Sequence, residues 1–193
     1  QSKVDGAYYE NGSLYFRGEK FFEVNDLTIS GVHNVYNALA CVAVAGILKL
    51  DKKKAGDAIC AFKGVRHRIE KIREVNGVTY IDDSKGTNVD ATLKAVQSMK
   101  VPTVLMLGGK DKGDDYSPLF EGLNSSTVVH AVIYGENRFK MLNAAIKSGF
   151  TSFSLCSEFK AAFSLAEFTA KPGQAVLLSP ASASFDGFSN YEE

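Results

Sequence analysis

The sequence lacks an excess of charge of either sign. Its 193 residues carry 22 Lys and Arg side chains and 22 Asp and Glu side chains, so the formal net charge is zero. A protein that binds nucleic acid or an acidic membrane surface over a broad area needs a basic excess. We therefore expect neither partner, and any anion-binding site must be local.

Cysteine is scarce and long apolar runs are missing. Cys41, Cys60 and Cys156 are an odd number in apolar surroundings, which is typical of reduced thiols rather than of a disulfide framework. No apolar run reaches the roughly 18 to 20 residues that span a bilayer, and the N-terminus shows no signal-peptide pattern. We expect a cytoplasmic protein. Since the sequence begins at Gln1 without Met and ends abruptly, we also expect a piece of a longer chain.

Several familiar site motifs are also missing. Neither the phosphate-binding pattern G-x-x-x-x-G-K-[ST] nor G-x-G-x-x-G after a predicted strand occurs in the sequence. No Ser or Cys has a recognisable His partner by spacing, and His33 has no second ligand at metal-binding distance along the sequence. We predict neither a nucleophilic triad nor a metal site.

The first part of the chain mixes short strands with two helices. Asn11-Gly12 between β-like runs predicts a hairpin, and further short strands are predicted at residues 21–24 and 27–29. Apolar residues on more than one face of residues 34–50 predict a well-buried helix, and a second helix is predicted over 52–62. A second hairpin, residues 66–75 with 78–81, turns at Asn76-Gly77. The change of periodicity puts a domain boundary near residues 63–67.

From residue 89 onward, helices and strands alternate regularly. Helices are predicted over 89–99, from Pro118, and over 136–147 and 158–170; strands are predicted over 103–107, 128–134, 152–155 and 175–178. This alternation predicts a parallel sheet with right-handed crossovers, that is, a doubly wound, Rossmann-like α/β domain. Ligands of such domains meet the carboxyl ends of the strands. Three polar loops lie there: residues 82–88, 108–115 and 179–190.

These loops carry the groups that bind anions. The first places Asp, Ser, Lys, Thr and Asn side chains between a strand and a helix, the second offers Lys110 and Lys112 among glycines, and the third supplies small hydroxyls. Arg66-His67-Arg68 adds cations near the domain boundary, where a nucleotide could bridge two domains. Each segment also has a purely structural interpretation. The first loop could be a helix cap, the second a solvated turn, the third a strand exit, and Arg66-His67-Arg68 a basic edge strand. Residue patterns alone thus indicate an α/β domain that binds an anionic ligand.

Four segments together resemble the Mur ligase family. They are residues 31–38 (GVHNVYNA), 66–68 (RHR), 82–88 (DDSKGTN) and 107–113 (LGGKDKG), completed by residues 178–186 (LSPASASFD) and 190–193 (NYEE). The resemblance implies the C-terminal part of a central ATPase domain over residues 1–66 and the C-terminal Rossmann-like domain over residues 67–193. It implies that the phosphate loop, the Mg²⁺ ligands and a uridine-nucleotide domain lie upstream. The isolated chain is then inactive and exposes apolar surface on the helix over residues 34–50.

The resemblance further implies a reaction and its residues. The members of the family that the segments resemble use ATP to phosphorylate the carboxylate of UDP-N-acetylmuramoyl-L-alanine, and the amine of D-glutamate then attacks the acyl phosphate. Lys85 matches a catalytic position facing the reacting groups. The positions that engage ATP are matched by Asn37, Arg68 and Asp83. The positions of the D-glutamate pocket are matched by Thr87, Lys112, Ser184, Phe185 and Tyr191. We expect a monomer.

Three departures from the family pattern leave the charged contacts intact. Gly86 stands where Ala is usual, which loosens the loop; Ser182 stands where Cys is common; and Tyr191 replaces a frequent Phe. Two alternatives remain. One is a related ligase of the Mur and folylpolyglutamate type that adds a different amino acid, and the other is a non-catalytic Rossmann-like nucleotide-binding module.

Overall fold

The computed structural model describes residues 5–29 and 31–189. The chain forms two compact units, Gln1–Gly64 and Val65–Glu193. No helix in the described ranges combines the length and the apolar character needed to cross a membrane.

The first unit packs two helices with a small antiparallel sheet. Its elements are β1 (Ala7–Glu10), β2 (Ser13–Phe16), β3 (Glu19–Glu23), a 3₁₀ helix (Val24–Asp26), α1 (Val32–Ile47) and α2 (Lys52–Cys60). Strands β1 and β2 pair from Ala7 opposite Phe16 to Glu10 opposite Ser13, so the predicted Asn-Gly hairpin is confirmed. Leu14 and Val42, both fully buried, lie in its core.

Two predictions for this unit are wrong. Residues 27–29 form no strand, because the 3₁₀ helix ends just before them and bends follow; the Asp26 carboxylate, which accepts from Glu23 N at 3.3 Å, closes that turn. Helix α1 is not buried all round, since Tyr36 and Ile47 are each 68% exposed. The apolar surface expected on this helix is therefore present.

The second unit is a six-stranded sheet between helices. Its elements are β4 (Glu70–Val75), β5 (Val78–Asp82), α3 (Val89–Ser98), β6 (Thr103–Gly108), α4 (Ser117–Leu123), β7 (Val128–Tyr134), α5 (Arg138–Lys147), β8 (Phe153–Leu155), α6 (Phe159–Thr169) and β9 (Ala175–Leu178). The strand order is β4-β5-β9-β6-β7-β8, in which only the β4–β5 pair is antiparallel. The predicted α/β class with a doubly wound, parallel-dominated sheet is confirmed.

The sheet is covered on both faces, which explains its continuous apolar strands. All six residues of β6 are buried. Leu105 and Leu107 join the core formed with α3, α4 and α5, whereas Val104 and Met106 join the core formed with α6. Strands buried on both faces lose the alternation that a half-exposed strand shows. The carboxyl ends of five parallel strands then lie at one edge, where the loops begin.

The hairpin of the second unit begins later than predicted. Strand β4 starts at Glu70 rather than at Arg66, because His67 and Ile69 have left-handed backbone conformations with φ of 65° and 49°. Such conformations interrupt an extended strand. Residues 65–69 therefore form a turn that lies against the first polar loop.

Candidate functional site

The three polar loops meet at the carboxyl edge of the second unit. The third loop runs between the other two, because β9 lies between β5 and β6. On one side Ala181 N donates to Gly86 O at 2.8 Å, and on the other Lys110 N donates to Ala183 O at 2.8 Å. Backbone hydrogen bonds thus hold the three loops as one surface.

Asp83 links the first loop to its neighbours. Its carboxylate accepts from Ile69 N at 3.2 Å and from Ser179 Oγ at 2.6 Å, and the residue is 5% exposed. Burial raises the pKa of the Asp83 carboxyl group, while these two hydrogen bonds act in the opposite direction. Contact between Asp83 and a ribose would require the carboxylate to turn outward, and that predicted contact stays a prediction.

Gly86 makes room for this buried carboxylate. A Cβ at position 86 would lie 2.3 Å from Asp83 Oδ2 and 2.6 Å from Ser179 Oγ. The interpretation of Gly86 as a residue that loosens the loop is therefore incomplete. Its missing side chain lets Asp83 and Ser179 meet.

The turn at residues 65–69 is fastened to the first loop at several points. His67 Nδ1 and Asp82 Oδ2 are 2.7 Å apart, and Lys85 N donates to His67 O at 3.2 Å. Arg68 lies in this turn and is exposed. The structure thus places Arg68, predicted to bind the nucleotide, and Lys85, predicted to be catalytic, on two segments that are joined by a backbone hydrogen bond.

One group of side chains in the described part of the chain has metal-ligand spacing. One ligand atom from each of His67, Glu70 and Asp82 lies within 4.8 Å of the others. Glu70 Oε2 accepts from His67 N at 2.8 Å, and Asp82 Oδ1 accepts from Ser84 N at 2.8 Å. The first bond stabilises the turn and the second stabilises the loop, while the contact between His67 and Asp82 joins the two. The spacing of residues 67, 70 and 82 along the sequence does not predict this group.

Lys112 differs from the other cations of the second loop and its surroundings. Lys110 Nζ contacts the Glu136 carboxylate at 2.6 Å, whereas Lys112 Nζ donates to the uncharged carbonyl oxygen of Thr87 at 2.7 Å. The Lys112 side chain therefore crosses from the second loop to the first without meeting a carboxylate there. Its positive charge is placed to attract an anionic ligand.

The other predicted site residues differ in their exposure and in the unit to which they belong. Ser184 is half-buried and Phe185 is 68% exposed on the third loop. Asn37 belongs to the first unit, is exposed, and its Nδ2 lies 3.4 Å from Asn34 Oδ1. Tyr191 lies outside the described residues. The assignments of these side chains to ATP or to D-glutamate stay predictions.

A fourth loop, which the sequence patterns do not predict as part of the site, completes the surface. Asn137 follows β7 and is 2% exposed. Its Nδ2 donates to Tyr116 Oη at 2.7 Å and to Ser182 Oγ at 2.6 Å, and its Oδ1 accepts from Gly109 N at 3.1 Å. The signal in the sequence is Gly135-Glu136-Asn137 directly after an apolar strand, a pattern that by itself predicts only the start of a helix.

A separate cleft lies on the α6 side of the sheet. Its volume is about 160 Å³, and Tyr80, Phe159, Phe163 and Leu178 are among the residues that line it. Arg73 and Asp82 also border the cleft, but almost all of the surface that lines it is apolar. A doubly charged ligand that loses its water needs polar groups, so the loop surface, and not this cleft, is the candidate anion site.

The family comparison agrees with this architecture. The family described as "Mur ligase, glutamate ligase domain" matches residues 67–182, which include the first two loops and the start of the third. The chain belongs to the Mur ligase family.

Mur ligases with similar sequences span the whole chain. The UDP-N-acetylmuramoylalanine–D-glutamate ligase of Geotalea uraniireducens is 40% identical over 196 residues, covering 100% of this chain and 43% of the relative. The ligase of the same name from Thermoanaerobacter sp. strain X514 is 38% identical and covers 98% of this chain and 43% of its own length. The chain thus spans less than half the length of these relatives.

A solved Mur ligase structure shows the same fold. The UDP-N-acetylmuramate–alanine ligase of Thermotoga maritima aligns with a TM-score of 0.70 and 20% identity, over 88% of this chain and 39% of that protein. At this identity the likeness extends to the fold alone.

Proposed function

We propose that the protein carrying this chain is an ATP-dependent ligase that adds D-glutamate to UDP-N-acetylmuramoyl-L-alanine during peptidoglycan precursor synthesis. Residues 1–66 supply the end of its central ATPase domain, and residues 67–193 supply the amino-acid-binding domain. The names of the similar relatives support this choice of substrate. Mg²⁺ is held by ligands in other parts of the protein.

The single observation that carries the proposal is the position of Lys112. D-Glutamate carries two carboxylates at neutral pH, and its water must be replaced by a cation and several neutral donors. Lys112 is tethered to Thr87 O at 2.7 Å and lies on the surface shared with the hydroxyl-rich third loop. Lys112, Thr87 and Ser184 are therefore proposed to bind the substrate's carboxylates.

The other predicted site residues are proposed to act on ATP and on the phosphate that it transfers to UDP-N-acetylmuramoyl-L-alanine. Arg68 is proposed to contact ATP, with Asp83 near the ribose, and Lys85 to stabilise the phosphate that is transferred. For Asn37, which belongs to the first unit, contact with ATP is proposed from the family resemblance alone. ATP converts the muramoyl-peptide carboxylate into an acyl phosphate, which gives the amine of D-glutamate a good leaving group to displace. Holding both reactants on bonded loops lowers the entropic cost of their encounter.

The test compares two lysines of one loop in a full-length ligase that contains this sequence. Lys112→Met removes a charge that has no carboxylate partner among residues 5–29 and 31–189, whereas Lys110→Met removes one already paired with Glu136. Loss of a hydrogen bond from a charged donor corresponds to about a 10- to 100-fold rise in KM for D-glutamate. We expect this rise for Lys112→Met and a KM close to wild type for Lys110→Met.

Two results would count against the proposal. If the KM for D-glutamate is the same in both variants, Lys112 does not bind that substrate. If a panel of amino acids shows that the wild-type protein uses another amine, or if no product forms at all, the assigned reaction is wrong.

A further inference from the structure

We propose that Asn137, with Tyr116 and Ser182, is a positioning residue that holds the second and third loops in the arrangement needed to bind the amino-acid substrate. This inference deepens the proposed function and rests on it. None of the three residues is proposed to touch a substrate.

The Asn137 side chain makes its hydrogen bonds to other loops and not to its own helix. Asn137 is the N-cap residue of α5, yet it makes no side-chain capping hydrogen bond. An N-cap Asn ordinarily accepts from an amide in the first turn of its own helix. Here Oδ1 accepts from Gly109 N at 3.1 Å instead.

Every hydrogen-bonding group of the Asn137 amide has a partner. The two Nδ2 hydrogens go to Tyr116 Oη and Ser182 Oγ, at 2.7 and 2.6 Å, and the oxygen faces Gly109 N. The Gly109 amide can only donate, so it fixes which end of the Asn137 amide carries the oxygen. Tyr116 Oη and Ser182 Oγ lie 3.1 Å apart and close a triangle with Nδ2.

The network is fully buried. Asn137 is 2% exposed, Tyr116 is 1% exposed and Ser182 is fully buried. A buried polar group without a partner is costly, so all three side chains are constrained to this one arrangement.

The network fixes the segments on which the substrate-binding side chains stand. Gly109 is held from both sides, because Asn137 N also donates to Gly109 O at 3.1 Å, and Lys112 follows three residues later. Ser182 anchors the third loop two residues before Ser184. A single side chain thereby sets the spacing between the loop that carries Lys112 and the loop that carries Ser184.

The experiment measures steady-state kinetics of the full-length ligase with D-glutamate and with ATP as the varied substrate. For Asn137→Ala we expect the KM for D-glutamate to rise by about tenfold, as for the loss of one well-placed hydrogen bond, with the KM for ATP within about twofold of wild type. Tyr116→Phe and Ser182→Ala each remove one hydroxyl group and are expected to raise the same KM by smaller factors. These two variants keep the test valid if Asn137→Ala does not fold.

Val128→Ala is the matched control for a purely structural effect. Val128 is 8% exposed, lies at the opposite end of β7 and belongs to the core with α5. This control is expected to lower the melting temperature without changing either KM.

The outcomes separate the two proposals. If wild-type protein consumes D-glutamate but Asn137→Ala changes only the melting temperature and kcat, as the control does, the positioning role is refuted and the proposed function stands. If wild-type protein does not consume D-glutamate, the proposed function itself fails.

Discussion

Replacing Ser179 by Ala tests how the buried Asp83 carboxylate is stabilised. Ser179 is fully buried and donates from Oγ to Asp83 Oδ2 at 2.6 Å. A hydrogen bond to a charged group contributes about 1.5–3 kcal/mol, and one between neutral groups about 0.5–1.5 kcal/mol. We expect Ser179→Ala to lower the free energy of unfolding by about 2–3 kcal/mol at pH values above the folded-state pKa of Asp83.

The cost of this substitution depends on pH in a defined direction. Burial raises the pKa of Asp83 and the Ser179 hydrogen bond opposes that rise, so Ser179→Ala raises the folded-state pKa further. A carboxyl group with a raised folded-state pKa contributes stability below its unfolded-state pKa, and this is lost as pH rises through the folded-state value. The destabilisation by Ser179→Ala is therefore expected to fall to about 1 kcal/mol at low pH, where only a neutral hydrogen bond is lost.

Urea unfolding of the chain at pH 4 and pH 7 measures this difference. The sequence has no tryptophan, so far-ultraviolet circular dichroism is the appropriate signal. Ser98→Ala is the control, because Ser98 Oγ donates to the uncharged Ala95 O at 2.6 Å. Its cost is expected to be the same at both pH values. An equal cost of Ser179→Ala at pH 4 and pH 7 would show that the strength of this hydrogen bond does not depend on the charge of Asp83.

Two further predictions concern the same loops. Gly109 has φ of 140° and its added Cβ would lie 2.3 Å from Ala183 O, so Gly109→Ala is expected to lower the melting temperature by about 5–10 °C. Gly113→Ala is the control, because Gly113 has φ of 86° but open space around it, and its melting temperature should fall less. Equal shifts in the two variants would contradict the steric explanation. Asp83→Asn removes the carboxyl group whose pKa is raised by burial, so stability relative to wild type should increase between pH 4 and pH 7; a pH-independent difference in thermal unfolding would show that Asp83 does not titrate as described.

Much of the second unit follows from local sequence patterns. Strands β7 and β9 have the predicted bounds, because a run of apolar residues between turn formers specifies a strand buried on both faces. The start of β4 was predicted four residues too early, since nothing in the Arg66-His67-Arg68 triplet signals left-handed conformations at His67 and Ile69. Those conformations are maintained by non-local hydrogen bonds to Asp82 and Asp83.

The candidate site was predicted as a set of loops but not as a network. Parallel pairing was sufficient to predict that residues 82–88, 108–115 and 179–190 lie at one edge of the sheet. Asn137 was missed because it falls inside the helix predicted over residues 136–147, where a polar residue in the first turn gives no signal of a site. Only the contacts show that its amide faces Gly109, Tyr116 and Ser182.

The strand order explains why the third loop has the central part in this site. Strand β9 is the last in the chain, yet it lies between β5 and β6, a placement that no local pattern specifies. One end of the third loop therefore reaches the first loop, where Ser179 bonds Asp83, and its middle reaches the fourth, where Ser182 bonds Asn137. The third loop therefore joins the Asp83 side of the site to the Asn137 side through two buried hydroxyl groups of one short segment.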